Sequence, residues 1–368
     1  MDTLDSIEAV FAVVDNIDDN ILEEIEVAEP RNPKVYFRDV DPFHDYSEDC
    51  FKKRFRFTKS VVRHVILPRI EDTLQSETQR GLPLTPLCQL LTALRFYATG
   101  SFQVVCGDIM HISQSTVCNI VKRVSRALAL LMPDFIKFPA NLRKTKDDFE
   151  NLGCIGRAPG LKNIVGAIDC THIKITKPRG ILHTEQYRNR KGYFSLNVQV
   201  VGGPNLMIYD IVVRWAGSTH DSRIYRNSRL NIRLCNNEID GVLLADGGYP
   251  CTRHLLTPVS NPRTAQEERY NKVQIKSRNS VERLFGVWKR RFPCLQIGLA
   301  TKLSSTANII MACAVLHNIA VEVNDIFEFD DTVDNNAHQP SNTTTTSTTG
   351  TSDGLVLRAN IISRYYTF

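Results

Sequence analysis

The first thirty residues contain no lysine or arginine, the ten cysteines form no CxxC pair, and no apolar run reaches the length of a membrane span. Each absence excludes something. Without cysteines at ligand spacing there is no zinc ribbon or finger, and the thiols read as reduced and mostly buried, as in the cytosol or nucleus. The longest apolar stretches, Ile309 to Leu316 and Ala127 to Met132, suit core helices, so no membrane association is expected. The start lacks the basic residues and cleavage site of a secretory signal. A Gly-rich nucleotide loop and a Ser-His-Asp arrangement are also missing, and no internal repeat is visible.

What is present is unevenly distributed. Residues 1–30 hold ten acids, and residues 321–368 hold seven acids against two arginines. The formal net charge of +5 therefore leaves, by subtraction, about +20 on the middle of the chain. A charge so segregated suggests a polyanionic partner, with a merely solvated basic surface as the plain alternative. The ends read as an acidic mobile arm over 1–45, with a transient helix near Ile21 to Val27, and a disordered tail over 326–368 that includes the Thr/Ser-rich stretch Ser341 to Asp353.

Between these ends the periodicity changes once. From Phe55 to Met132 apolar residues recur at three and four spacing, predicting an all-α region over 46–140 with helices at Leu87 to Tyr97, Phe102 to Met110 and Gln114 to Leu131. Ser113 is the expected N-cap of the third. The segment Val105 to Val124 has the form of a helix-turn-helix that would present Gln114, Ser115, Thr116, Asn119, Lys122 and Arg123 outward, where amide side chains can read adenine and cations can meet phosphates. A plain helical hairpin is the competing reading.

After a connector over 141–160, strand-like runs appear at Ile164 to Ile168, Phe194 to Gly202, Met207 to Trp215 and Val242 to Ala245. Helices are expected at Ser222 to Cys235, Pro262 to Phe292 and Ser304 to Val323. The class is α/β, a mixed sheet flanked by helices over 161–325, and it fits an RNase H-like fold. Asp169 ends the first strand run, Asp246 ends the fourth, and Glu282, separated from Asp246 by 35 residues, lies in the long helix. Three carboxylates aimed at one point suit hard divalent cations and phosphodiester cleavage. Asp221, in Gly217-Ser218-Thr219-His220-Asp221-Ser222, is the runner-up second acid, and its plain reading is a helix N-cap. Asp246 is preferred because Asp246-Gly247-Gly248-Tyr249-Pro250 lets backbone approach a ligand closely.

Taken in order, the motifs Gly166-Ala167-Ile168-Asp169-Cys170-Thr171-His172-Ile173, Asn189-Arg190-Lys191-Gly192, Gly217 to Arg223, Asp246 to Pro250 and Val281-Glu282-Arg283-Leu284-Phe285-Gly286 resemble the PIF/Harbinger superfamily of DDE transposases. Within it, the chain looks most like Harbinger transposase-derived nucleases, over roughly residues 50–320, including Ala98 to Gln103 and Ser113 to Val117. The resemblance implies that Asp169, Asp246 and Glu282 form the catalytic triad and bind Mg²⁺ or Mn²⁺. A metal-activated water, rather than a protein side chain, is then the expected nucleophile on DNA. It also implies a separate Myb/SANT-like protein for DNA recognition and nuclear import, hence a distribution between nucleus and cytoplasm. Two positions depart from the family's frequent residues: Cys170 where Gly is common, and Gly247 where Ser is common.

Independently of the resemblance, Asn271, Arg278, Glu282 and Lys289 recur at intervals of seven, four and seven on one helix face, opposite an apolar stripe of Val281, Leu284, Phe285 and Trp288. The loop Lys177 to Tyr193 adds Lys177, Arg179, Arg188, Arg190 and Lys191 against Glu185. Arg190, Lys191, Arg278 and Lys289 thus join the candidate DNA contacts. His172 and His220 read as packing or turn-stabilising residues, since oxygen donors suit Mg²⁺ better. A noncatalytic DNA-binding or scaffold protein on the same fold is the alternative from another class, and an RNase H or junction resolvase is a third. An Asn, Ala or Gly at a triad position would favour the scaffold; none occurs.

Overall fold

The computed structural model describes residues 41–76, 84–180, 182–325, 327 and 350–367, which belong to one compact unit. The acidic arm through residue 40, its expected helix, and most of the Thr/Ser-rich stretch lie outside the described residues.

The helical part begins with α1 (Glu48–Phe55), N-capped by Ser47 and buried through Phe51 and Phe55. Then come α2 (Pro86–Thr99), α3 (Gln103–Met110), α4 (Gln114–Leu130) and α5 (Leu142–Gly153). Thr85 caps α2, with Pro86 at its first position, where the missing N–H costs nothing. Ser113 accepts from the Thr116 amide at the start of α4, as expected. A buried 2.6 Å hydrogen bond between Tyr97 and Ser125 joins α2 to α4. The cysteine expectation holds only in part, since Cys50, Cys118, Cys154 and Cys235 are exposed, although all ten are free.

The sheet contains β1 (Ile164–Lys174), β2 (Ser195–Gly202), β3 (Ile208–Ala216), β4 (Val242–Leu244) and β5 (Leu255–Leu256) in the order β3-β2-β1-β4-β5. β1, β2 and β3 pair antiparallel, whereas β4 joins β1, and β5 joins β4, in parallel. Between β3 and β4 the chain crosses through α6 (Asp221–Arg226) and α7 (Arg229–Cys235). These were expected as one helix. Ser228 divides them by accepting from the Asn231 amide as the N-cap of α7. β1 also outruns its expected end by six residues, so Asp169 lies within the strand and pairs with Val200. The polar residues after Asp169 hid this continuation, because Cys170, Thr171 and His172 break the apolar run without leaving the ladder.

Side chains alternate across the sheet except at the register shift between Ile164 and Gly166 on β1. Ala167 and Ile173 enter a core shared with the helical part, while Val165 and Ile168 enter a second core with Tyr225, Leu230 and Leu234. The first core is continuous from α1 to the sheet, so the region expected as a separate helical domain shares its interior with the α/β part.

Two long helices cover the sheet. α8 (Ala265–Arg291) opens with a Thr264/Glu267 capping box and closes with Lys289, Arg290 and Arg291, matching its dipole at both ends. α9 (Leu303–Glu322) is long and apolar enough to cross a membrane by composition, yet it forms the centre of the core. Its polar residues are bonded internally: Asn318 takes the Ile208 amide at 2.9 Å and donates to the carbonyls of Ile208 and Phe135, while His317 donates to Leu206. Burial holds His317 near 4, so it stays neutral in neutral solution. Beyond α9, Asp325 meets Lys52 at 2.8 Å and accepts from the Thr58 amide, and Arg291 bridges the carbonyls of Asp325 and Arg56.

The expected disordered tail contains a helix, α10 (Ser352–Tyr365), resting on α8 and the edge strand β5. The polar stretch before it masked a helical spacing of Leu357, Ile361, Ile362 and Tyr365, all partly buried. Tyr366 is fully buried, donates to the Pro159 carbonyl and takes the Arg269 guanidinium on its own. Arg358 donates to the carbonyls of Thr257 and Pro258. Replacing Tyr366 with Ala is therefore expected to cost about 3 kcal/mol, and deletion of residues 350–368 more, by uncovering a sheet edge. Urea unfolding checks this; a deletion as stable as the full chain would contradict it.

Candidate active site

Asp169 and Asp246 come together because of strand register. Ala167 on β1 pairs in parallel with Leu244 on β4, so Asp169 and Asp246 each stand two residues beyond a common rung and project to the same face. That face is covered by α8, from which Arg278 reaches Asp169 at 3.1 Å and Glu282 at 2.6 Å. Gln274, one turn earlier on α8, is buried and donates to the carbonyl of Ala245 at 2.8 Å, fixing the backbone immediately before Asp246. The turn is closed by the Gly248 amide donating to Asp246. A side chain on Gly247 would meet nothing within 4 Å, so its departure from Ser reflects no crowding.

Asp221 also approaches the cluster. It is the first residue of α6 rather than its cap: His220 takes the N-cap position and accepts from the Ser222 amide. Asp221 instead receives the Asn197 amide at 2.8 Å. His172 bonds Ser195 at 3.1 Å, and burial lowers its pKa, so both histidines have the packing and turn roles expected of them.

The electrostatics follow from crowding. Burial first, then the carboxylate of Asp246, push Asp169 up to about 8, against the pull of Arg278 and of the Cys170 amide. Asp246 is raised too, by burial and then by Asp221, with Arg278 opposing. Cys170 sits on the other side of β1, 3.2 Å from the Tyr249 hydroxyl, and burial raises both groups, so this pair stays protonated.

The oxygen donors Asp169, Asp246 and Glu282 suit a divalent cation, and the repulsion that adds to burial in raising Asp169 and Asp246 is what such a cation would relieve. As arranged, no three His, Cys, Asp or Glu side chains among the described residues converge tightly enough to hold a metal. The guanidinium of Arg278 stands between two of the acids instead.

The expected basic residues separate into groups. Arg278 is turned into the acidic cluster rather than outward. Lys289 is bonded to the His172 carbonyl at 3.1 Å, and burial, then Lys191, lower it to about 8. Arg190 and Lys191 are exposed on a turn built by Asn189, whose side chain takes the amides of Lys191 and Tyr193 and donates to Ser195. Gln114, Asn119 and Lys122 are exposed on α4, and Arg123 bonds the Leu74 carbonyl. Gln274 and Asn197 were not singled out by sequence, and Asn189 only as part of the motif Asn189-Arg190-Lys191-Gly192. A polar residue on a buried helix face was the available signal for Gln274.

A family model described as a DDE superfamily endonuclease matches residues 168–318. Over 294 residues the chain is 31% identical to the proteins named "Putative nuclease HARBI1" of Rattus norvegicus and Homo sapiens, covering 77% of this chain and 82% of each relative. It is 25% identical over 311 residues to "Protein ALP1-like" of Arabidopsis thaliana, covering 79% of this chain and 74% of that one. No solved structure matches significantly.

The raised Asp169 carboxyl has a consequence for stability. Above the ordinary value of 3.8 an unfolded chain loses this proton, whereas the folded, metal-free protein keeps it up to about 8. Stability should therefore fall as pH rises through that window, and Asp169→Asn should flatten the slope. Urea unfolding in chelator between about pH 5 and about pH 8 measures it; equal slopes in the two proteins would contradict the assignment.

Proposed function

The chain belongs to the Harbinger-derived DDE superfamily endonucleases, and on that premise we propose that it is a divalent-metal-dependent nuclease that hydrolyses DNA phosphodiester bonds on an RNase H-like sheet. The observation that carries the proposal is the register of β1 and β4, which sets Asp169 and Asp246 side by side under the helix bearing Glu282. In this reading Asp169, Asp246 and Glu282 hold Mg²⁺ or Mn²⁺, which supplies Lewis-acid charge where negative charge builds up on the phosphate.

The remaining roles belong to the chain. Asn189, bonded to Ser195 and through it to His172, orients the turn that offers Arg190 and Lys191 to phosphates. Gln274 keeps the Asp246 turn against α8. Asp221, held by Asn197, adds negative charge beside Asp246 and tunes its ionisation. The exposed face of α4 contributes a further DNA contact through Gln114, Asn119 and Lys122, as a helix-turn-helix would. A scaffold reading is favoured by the Arg278 guanidinium occupying the acids, and the first assay below decides between them.

Purified protein is expected to nick plasmid DNA with Mg²⁺ or Mn²⁺. Asp169→Asn, Asp246→Asn and Glu282→Gln should each slow this by about a thousandfold or more, with double variants no worse than single ones. Asp221→Asn should be milder; survival of activity in Asp246→Asn but not in Asp221→Asn would reverse the choice of second acid.

For α4, Lys122→Ala should reduce the slope of log affinity against log salt by about 1 without changing the fold. An unchanged slope would leave α3 and α4 as a packed hairpin.

A further inference from the structure

Arg278 lies between two of the acids to which the proposed function assigns a metal ion, and its bonding is unusual for a surface ion pair. Its side chain is only 14% exposed, and its two terminal nitrogens are divided between acids on different elements, Asp169 on β1 and Glu282 on its own helix. The third nitrogen, Nε, is buried without a partner, so the head is held by these two contacts and by no wider network. A guanidinium committed to structure usually has all its donors satisfied, because a buried unpaired donor is costly.

The surroundings explain why a cation is present. Asp169, Asp246 and Asp221 repel one another in a desolvated corner, and Arg278 opposes the repulsion at both Asp169 and Asp246. With the guanidinium between Asp169 and Glu282, no metal-holding group of three is formed among the described residues. A divalent cation and this guanidinium would compete for the same oxygens, and like charges would repel at that distance.

We infer that Arg278 is a positioning residue that acts as a resident counter-cation, bridging Asp169 and Glu282 in the metal-free protein and leaving them when a divalent cation binds. The inference rests on the metal-binding reading of the acids proposed above. Metal binding then includes the cost of opening the bridge, so the apparent affinity is lower than the oxygen donors alone would give. It also means that the acids stay gathered, rather than splayed, while no metal is present.

The test is Mn²⁺ binding, followed by electron paramagnetic resonance of the free ion and by calorimetry, without DNA or turnover. Arg278→Met keeps the apolar stem and should bind Mn²⁺ about tenfold more tightly than the wild type while its metal-free form is less stable. Arg278→Lys, with one point charge in place of a fork, should fall between. Asp246→Asn added to Arg278→Met should abolish the gain. In the wild-type protein, Mg²⁺ titration followed by NMR of arginine side chains should release the Arg278 guanidinium, a readout that needs no variant to fold.

A purely structural ion pair predicts the opposite, weaker Mn²⁺ binding in Arg278→Met and Arg278→Lys and an unchanged guanidinium at Mg²⁺ saturation, and either result overturns the inference. If the wild type binds Mn²⁺ through Asp246 but no variant binds it more tightly, the counter-cation role fails and the metal site stands. If neither wild type nor variants bind Mn²⁺, the metal-site reading fails and takes the inference with it.

Discussion

Repulsion between carboxylates brought into one desolvated corner is the constraint around which this molecule is arranged. Strand register leaves Asp169 and Asp246 no alternative to proximity, and α6 adds Asp221 to the same neighbourhood. Such a cluster is unfavourable for folding by itself, and active sites commonly carry that cost. It is offset locally by Arg278, by backbone amides donating to Asp169 and Asp246, and by Asn197 on Asp221. Elsewhere the offset comes from burial, through a core that runs continuously from α1 through α9 to the sheet.

α8 concentrates most of these functions on one rod of 27 residues, about 40 Å long. Its apolar stripe seats it on the sheet, Gln274 straps the β4 end, Arg278 bridges Glu282 and Asp169, Lys289 reaches the His172 carbonyl of β1, and Arg291 joins the carbonyls of Arg56 and Asp325. One helix thus ties the helical part of the chain, through Arg291 and the shared core, to the strands that carry the acids.

Much of this arrangement could be read from residues alone, and the reasons are physical. Long helices with clean periodicity and caps, such as α4 and α8, were located within a few residues, since Ser113 and the apolar stripe of α8 are local signals. Strands are legible where an apolar run or a polar–apolar alternation is unbroken, as in β2. β1 was cut short because its second half alternates polar groups that serve the site, and β5 was missed because two residues carry no period. The motif order puts Asp169 and Asp246 on neighbouring strands and Glu282 on the long helix, as the structure does, whereas the bridge made by Arg278 is not legible in it. Sequence places a cation on the same helix face as Glu282, and only the crossing of α8 over β1 turns it towards Asp169 instead of solvent. α10 was lost because composition was averaged across a polar stretch and the amphipathic segment beyond it.

The parallel rung joining β1 to β4 also separates what can vary from what cannot. Asp169 and Asp246 are set by neighbouring strands, so the 76 residues between them can lengthen, shorten or exchange loops without moving either carboxylate, provided the two strands keep their rung. The basic turn at Arg190 and Lys191 lies inside that tolerant interval. The basic turn can therefore change while the pairing of the two carboxylates is kept. A one-residue slip of β4, by contrast, would turn Asp246 to the opposite face and separate the pair at once.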